Sequence, residues 1–97
     1  MTKAEAIALV VSEIERAESK FPGWPQDPVH AAAVVVEESG ELMQAALNHT
    51  YHWAKAENME AEAVQTAAMA IRFLVGYGSG HYGKNPDPLP VVSGSRK

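Results

Sequence analysis

The chain has no cysteine, so disulfide frameworks and thiolate metal sites are excluded, and any ion it holds must be bound through oxygen or imidazole nitrogen. It is also short of basic residues: 8 Lys and Arg stand against 12 Asp and Glu, a net charge of −4. No Lys/Arg cluster is present, which argues against a nucleic-acid or anionic-membrane surface. A small anionic substrate could bind only through bound cations. Long apolar runs are missing as well, since no stretch approaches the roughly 18 apolar residues needed to cross a bilayer. The early apolar stretch from Ala6 to Val11 is bounded by Glu5 and Glu13, so no signal peptide is read. The expectation is a soluble, cytoplasmic protein.

Strand-type alternation and internal repeats are also lacking, and what remains reads as all-α. Thr2 and Glu5 have capping-box spacing ahead of Ile7, Val11, Ile14, Ala17 and Phe21 at helical intervals, which gives a first amphipathic helix. Two prolines and a glycine in Phe21-Pro22-Gly23-Trp24-Pro25-Gln26 break it. Asp27 and Pro28 form an N-cap and first-turn pair for a second helix running to about Asn48, or on through Trp53. Asn58 is read as the cap of a third, from about Met59 to Val75, ended by Gly76 and Gly78. From Tyr77 the composition turns to Gly, Ser, Pro and Asn. The chain is therefore divided into a helical domain, residues 1–76, and an irregular tail, residues 77–97. A chain of 97 residues buries only about 60 to 65% of its unfolded surface. A bundle of three main helices is therefore expected to complete its core by oligomerisation, as a homodimer or homotetramer.

The second helix carries the most informative pattern. Between Val29 and Leu47 the only charged residues are Glu37, Glu38 and Glu41, with Ala31 to Val36 before them and Leu42, Met43, Ala45, Ala46 and Leu47 after. At about 100° per residue the three carboxylates fall within one arc of roughly 100°. The opposite arc, Ala32, Val36, Met43 and Leu47, is apolar too. A helix that is apolar all round is normally buried, and buried carboxylates must take up protons or find cations. Gly40 within this helix costs about 1 kcal/mol relative to alanine, which is read as allowing close helix approach. On the third helix, Glu62 and Gln65 lie one turn apart. If the two helices pair antiparallel, Glu38 and Glu41 meet Glu62 and Gln65 in an oxygen-rich pocket suited to Mg²⁺, with Mn²⁺ possible.

The spacing E-E-x-x-E at 37 to 41, followed twenty-one residues later by E-x-x-Q in an alanine-rich helix, resembles the MazG-like all-α nucleoside triphosphate pyrophosphohydrolases, small single-domain bacterial and phage forms included. The resemblance covers about residues 25 to 76. It implies that Glu38, Glu41 and Glu62 bind Mg²⁺, that Glu37 is a further ligand or orients the attacking water, and that the α–β linkage of a (d)NTP is cleaved to a monophosphate and pyrophosphate. Glu37 and Glu38 would be the catalytic pair. Gln65 departs from the family pattern, which has Asp there, so it would coordinate through its carbonyl oxygen, act through water, or mark altered metal stoichiometry.

Other residues are weaker candidates. His30 lies on the glutamate arc two turns upstream and could contact substrate, although a first-turn surface histidine is the commoner case. Lys55, Arg72 and Lys84 could meet phosphate. Trp24, Tyr51 and Trp53 could stack on a base, although packing is the usual fate of such rings. His49 and His52 invite a zinc reading but lack a third ligand, and no histidine follows a glutamate by three residues, as a di-iron carboxylate site requires. Two rival functions stay open: a phosphoribosyl-ATP pyrophosphohydrolase, which E-E-x-x-E alone cannot separate from the first, and a non-catalytic helical oligomer that keeps an acidic cation site.

Overall fold

The computed structural model describes residues 1–83, and the chain folds into α1 (Lys3–Lys20), α2 (Pro28–His52) and α3 (Ala56–Gly78). Among the described residues there is no strand, and the class is all-α. No helix among them is long and apolar enough to cross a membrane. Helix α1 starts at the expected capping box. The Thr2 hydroxyl accepts from the Glu5 N–H at 3.1 Å, and the Glu5 carboxylate accepts from the Thr2 N–H at 2.6 Å, satisfying two of the helix's orphan donors. Helix α2 opens on Asp27, whose Oδ1 accepts from the Val29 N–H at 3.0 Å, with Pro28 as its first residue. It continues through His52 and stops at Trp53, which adopts φ 62° and lets the Ala54 N–H close back onto the Asn48 carbonyl at 3.1 Å. A left-handed conformation costs a non-glycine residue roughly 1–2 kcal/mol.

Both ends of α3 differ from the sequence reading. The helix begins at Ala56, with Lys55 as an N-cap that makes no side-chain capping bond. Asn58 therefore lies inside the first turn, donating its N–H to the Lys55 carbonyl at 3.1 Å. At the other end, neither Gly76 nor Gly78 stops the helix. It runs through Gly78, and the turn after it brings Tyr82 back against the body of the protein. The Trp24 indole N–H donates to the Tyr82 hydroxyl at 2.8 Å, which donates to the Phe73 carbonyl at 3.0 Å, and His81 Nε2 lies 2.8 Å from the Trp24 carbonyl. Residues 77 to 82 thus belong to the packed unit, and the boundary expected after residue 76 falls inside it. The irregular tail from 84 to 97 and Lys84 lie outside the described residues.

Helix α3 is the central element. The three-residue connection 53–55 folds α2 antiparallel onto it, and the backbones of α1 and α2 each approach α3 rather than one another. The core is small: Ala17, Ala68 and Met69, flanked by Val10, Ile14, Trp24, Val34 and Val35. From α1 it uses Ile14 and Ala17 as expected, but Val10 in place of Ile7, Val11 and Phe21, which stay exposed. Close packing at Ala17 and Ala68 turns α1 by part of a turn from the face that its larger side chains suggested.

The expectation that α2 and α3 are buried all round is also corrected. Val29, Val36, Met43 and Leu47 on α2 and Leu74 and Val75 on α3 are exposed in the single chain, Val36 by 67% and Met43 by 62%. Three helices offer too little surface to cover every apolar face of two of them. Among the described residues, nothing beyond α2's own local backbone lies within 4 Å of a Cβ built at Gly40, so no close approach of α1 or α3 accounts for that glycine.

Candidate metal centre

Antiparallel pairing of α2 and α3 brings Glu38, Glu41 and Glu62 together. One carboxylate oxygen from each lies within 4.8 Å of the others. Glu38 and Glu62 are half-buried against the helix pair, while Glu41 is exposed at the mouth. The flanking small residues make this possible: buried Ala45 lets α3 come close one turn below Glu41.

The electrostatics of the group are unfavourable without a cation. Burial pushes the Glu38 carboxyl above the ordinary carboxylate range, and the charges of Glu41, Glu62, Glu37 and Glu13 push it in the same direction. Burial raises Glu62 too, followed by the neighbouring Glu41 carboxylate. Glu38 Oε1 and Glu62 Oε1 are both enclosed and have no hydrogen-bond partner among the described residues. Buried polar atoms in folded proteins are nearly always satisfied, so two orphaned oxygens in one acidic group fit a cation as the missing partner. The donors are all hard carboxylate oxygens, the kind that Mg²⁺ takes.

The other sequence-derived candidates are dispersed. Glu37 is exposed on the shoulder of the group, near enough for its charge to act on Glu38. Gln65, one turn from Glu62 on α3, lines a groove between α1 and α3 together with Glu13 and Arg16. His30 is exposed in the first turn of α2, and Lys55 is exposed at the start of α3. Arg72 and Trp24 serve the α1–α2 linker. Arg72 is buried, its Nη2 donates to the Phe21 carbonyl at 2.9 Å, and its guanidinium lies 4.8 Å from the Trp24 ring centroid. Ten residues separate it from Glu62, about 15 Å along the helix. Neither Arg72 nor Trp24 lines the cavity beside the acidic group. Tyr51 and Trp53 are exposed.

Four residues that the sequence reading did not single out are brought to the site. Glu13 of α1 is close enough to act on Glu38, and its own carboxyl is held below the ordinary range by a hydrogen bond from Arg16, at 2.6 Å from Nη2. Gln44, Asn48 and Asn58 line a cavity of about 280 Å³ with Glu41, Ala45 and Glu62. The signal for Gln44 and Asn48 was their spacing of three and seven residues from Glu41. Glu13 carried no such signal, because only tertiary packing brings α1 to this place.

Compared with known proteins, the chain matches no family model, no curated protein and no solved structure.

Proposed function

We propose that the protein is a Mg²⁺-dependent (d)NTP pyrophosphohydrolase, of the MazG-like kind that its E-E-x-x-E and E-x-x-Q spacing resembles. The observation that carries this reading is the convergence of Glu38, Glu41 and Glu62 from two helices, with two enclosed carboxylate oxygens lacking any partner among the described residues. Glu38, Glu41 and Glu62 would hold the ion, and a Mg²⁺ bound there would supply the charge neutralisation and the acidified water that phosphoryl chemistry needs in an acidic protein. Glu37, solvent-accessible beside the group, orients the attacking water and accepts its proton. The water oxygen bonds to the α-phosphorus as the α–β bridging bond breaks, so one (d)NTP and one water give the monophosphate and pyrophosphate.

The working form is a homodimer or a higher homo-oligomer. Val29, Ala33, Val36, Gly40, Met43 and Leu47 follow one another at alternating intervals of four and three residues along the outer face of α2, and all are exposed. That is the repeat of a helix-packing seam, and Gly40 at its centre lets a second backbone come close. An apolar groove of about 420 Å³, lined by Ala32, Val35, Val36, Ala70, Phe73 and Leu74, continues the seam onto α3.

The test is incubation of the full chain with each (d)NTP and Mg²⁺. Monophosphate and pyrophosphate in equal amounts are expected, and loss of product on chelation. Release of orthophosphate, or no turnover of any nucleotide, overturns the proposal.

A further inference from the structure

The cavity beside the acidic group is lined by the carboxylates of Glu41 and Glu62, by Ala45 and by the carboxamides of Gln44, Asn48 and Asn58. Asn48 lies seven residues from Glu41, about 10.5 Å along α2, a span comparable to that between the phosphates and the base of a nucleotide. No Lys or Arg among the described residues lines this cavity, so apart from the carboxylates it offers nothing for phosphate and only neutral donors and acceptors.

Two of those groups are paired at the surface: Gln44 Nε2 donates to Asn48 Oδ1 at 3.0 Å, one turn apart on the same helix face. The bond leaves Gln44 Oε1 as an acceptor and Asn48 Nδ2 as a donor. Exchanging O and N in both side chains leaves one acceptor and one donor all the same. A neighbouring donor and acceptor is what the edge of a nucleobase requires.

We infer that Gln44 and Asn48, with Asn58 across the cavity on α3, read the base of the nucleotide whose phosphates lie at Glu38, Glu41 and Glu62. The inference rests on the nucleotide chemistry proposed above and deepens it: these three carboxamides determine which base is accepted. A site built to hydrogen-bond a substrate rejects an analogue that leaves its polar groups unpaired.

The test uses the full chain with Mg²⁺ and each nucleoside 5′-monophosphate in turn, with ribose 5-phosphate as the baseless control, by titration calorimetry. The parent protein is expected to spread its affinities by about tenfold or more across the bases. Gln44→Ala and Asn48→Ala place the best helix former at exposed or half-exposed helix positions, so folding is preserved. Each is expected to weaken the preferred base about tenfold and to leave ribose 5-phosphate and Mg²⁺ alone bound as before. Asn58→Ala, on the other helix, should narrow the spread in the same direction. Equal affinity of the parent for all bases, or variants that keep the parental spread, overturns the inference. Hydrolysis with unchanged base preference in the variants removes the base-reading role alone. Discrimination among monophosphates without turnover of any triphosphate keeps that role and removes the hydrolase.

Discussion

At the scale of single residues the structure turns on three carboxylates that repel one another. Glu38→Gln keeps the shape and removes the charge. Turnover should fall at least a hundredfold, judged by pyrophosphate release, while the helical circular dichroism signal is unchanged and the melting temperature without metal is equal or higher. A fall in helicity, or parental turnover, would put the ligand assignment in error. The pH dependence follows from the same group. Because Glu38 and Glu62 have carboxyl pKa values raised by folding, the folded state holds their protons more tightly than the unfolded chain does. Their contribution to stability is thus full below the ordinary carboxylate range and is lost as pH rises through the folded-state values. The stabilising effect of Glu38→Gln on the metal-free protein should therefore be larger near pH 7 than near pH 4.5, and Mg²⁺ affinity of the parent should fall on acidification, as protons compete for the same oxygens. Thermal melts at the two pH values, and Mg²⁺ titrations alongside, check both. The convergence of Glu38, Glu41 and Glu62 was legible because carboxylates without nearby countercharge on otherwise apolar helices are hard to explain by solvation. Glu13 was not, since helical spacing says nothing about which third element packs beside the pair.

At the scale of elements, the linker from Phe21 to Gln26 is held by Arg72, Trp24 and Tyr82. An arginine in an alanine-rich helix reads from sequence as a cation seeking phosphate, yet its guanidinium satisfies linker carbonyls and lies over an indole. Lysine offers neither the planar fork nor the stacking face. Arg72→Lys is expected to cost about 1–3 kcal/mol and to lower the melting temperature by several degrees without changing Mg²⁺ affinity, both measurable on one preparation. Helix starts at Thr2 and Asp27 were readable because a side-chain oxygen and a spaced partner mark them locally. The start and end of α3 were not: Lys55 caps without a side-chain bond, and the packing of Tyr82 at Gly76, where an added Cβ would meet its hydroxyl at 2.9 Å, allows the helix to pass its glycines. Glycine signals a stop only where nothing beyond it repays continuing.

At the scale of the whole molecule, the described residues leave large apolar side chains of α2 and α3 exposed. The all-α class was legible from periodicity, whereas the outer seam of α2 could be seen only once the core-facing side was known. Placing a charge on that seam with Val36→Asp should convert an oligomer to monomer in light-scattering chromatography; a parent that is monomeric at all concentrations would overturn the seam assignment. The two indoles differ in exposure. Trp24 is half-buried against Arg72 and Tyr82, whereas Trp53 is 96% exposed at the corner between α2 and α3. Acrylamide should therefore quench two emitting populations unequally in the native protein, a red-shifted one readily and a blue-shifted one poorly, so that fluorescence alone can tell release of the linker from opening of the hairpin corner.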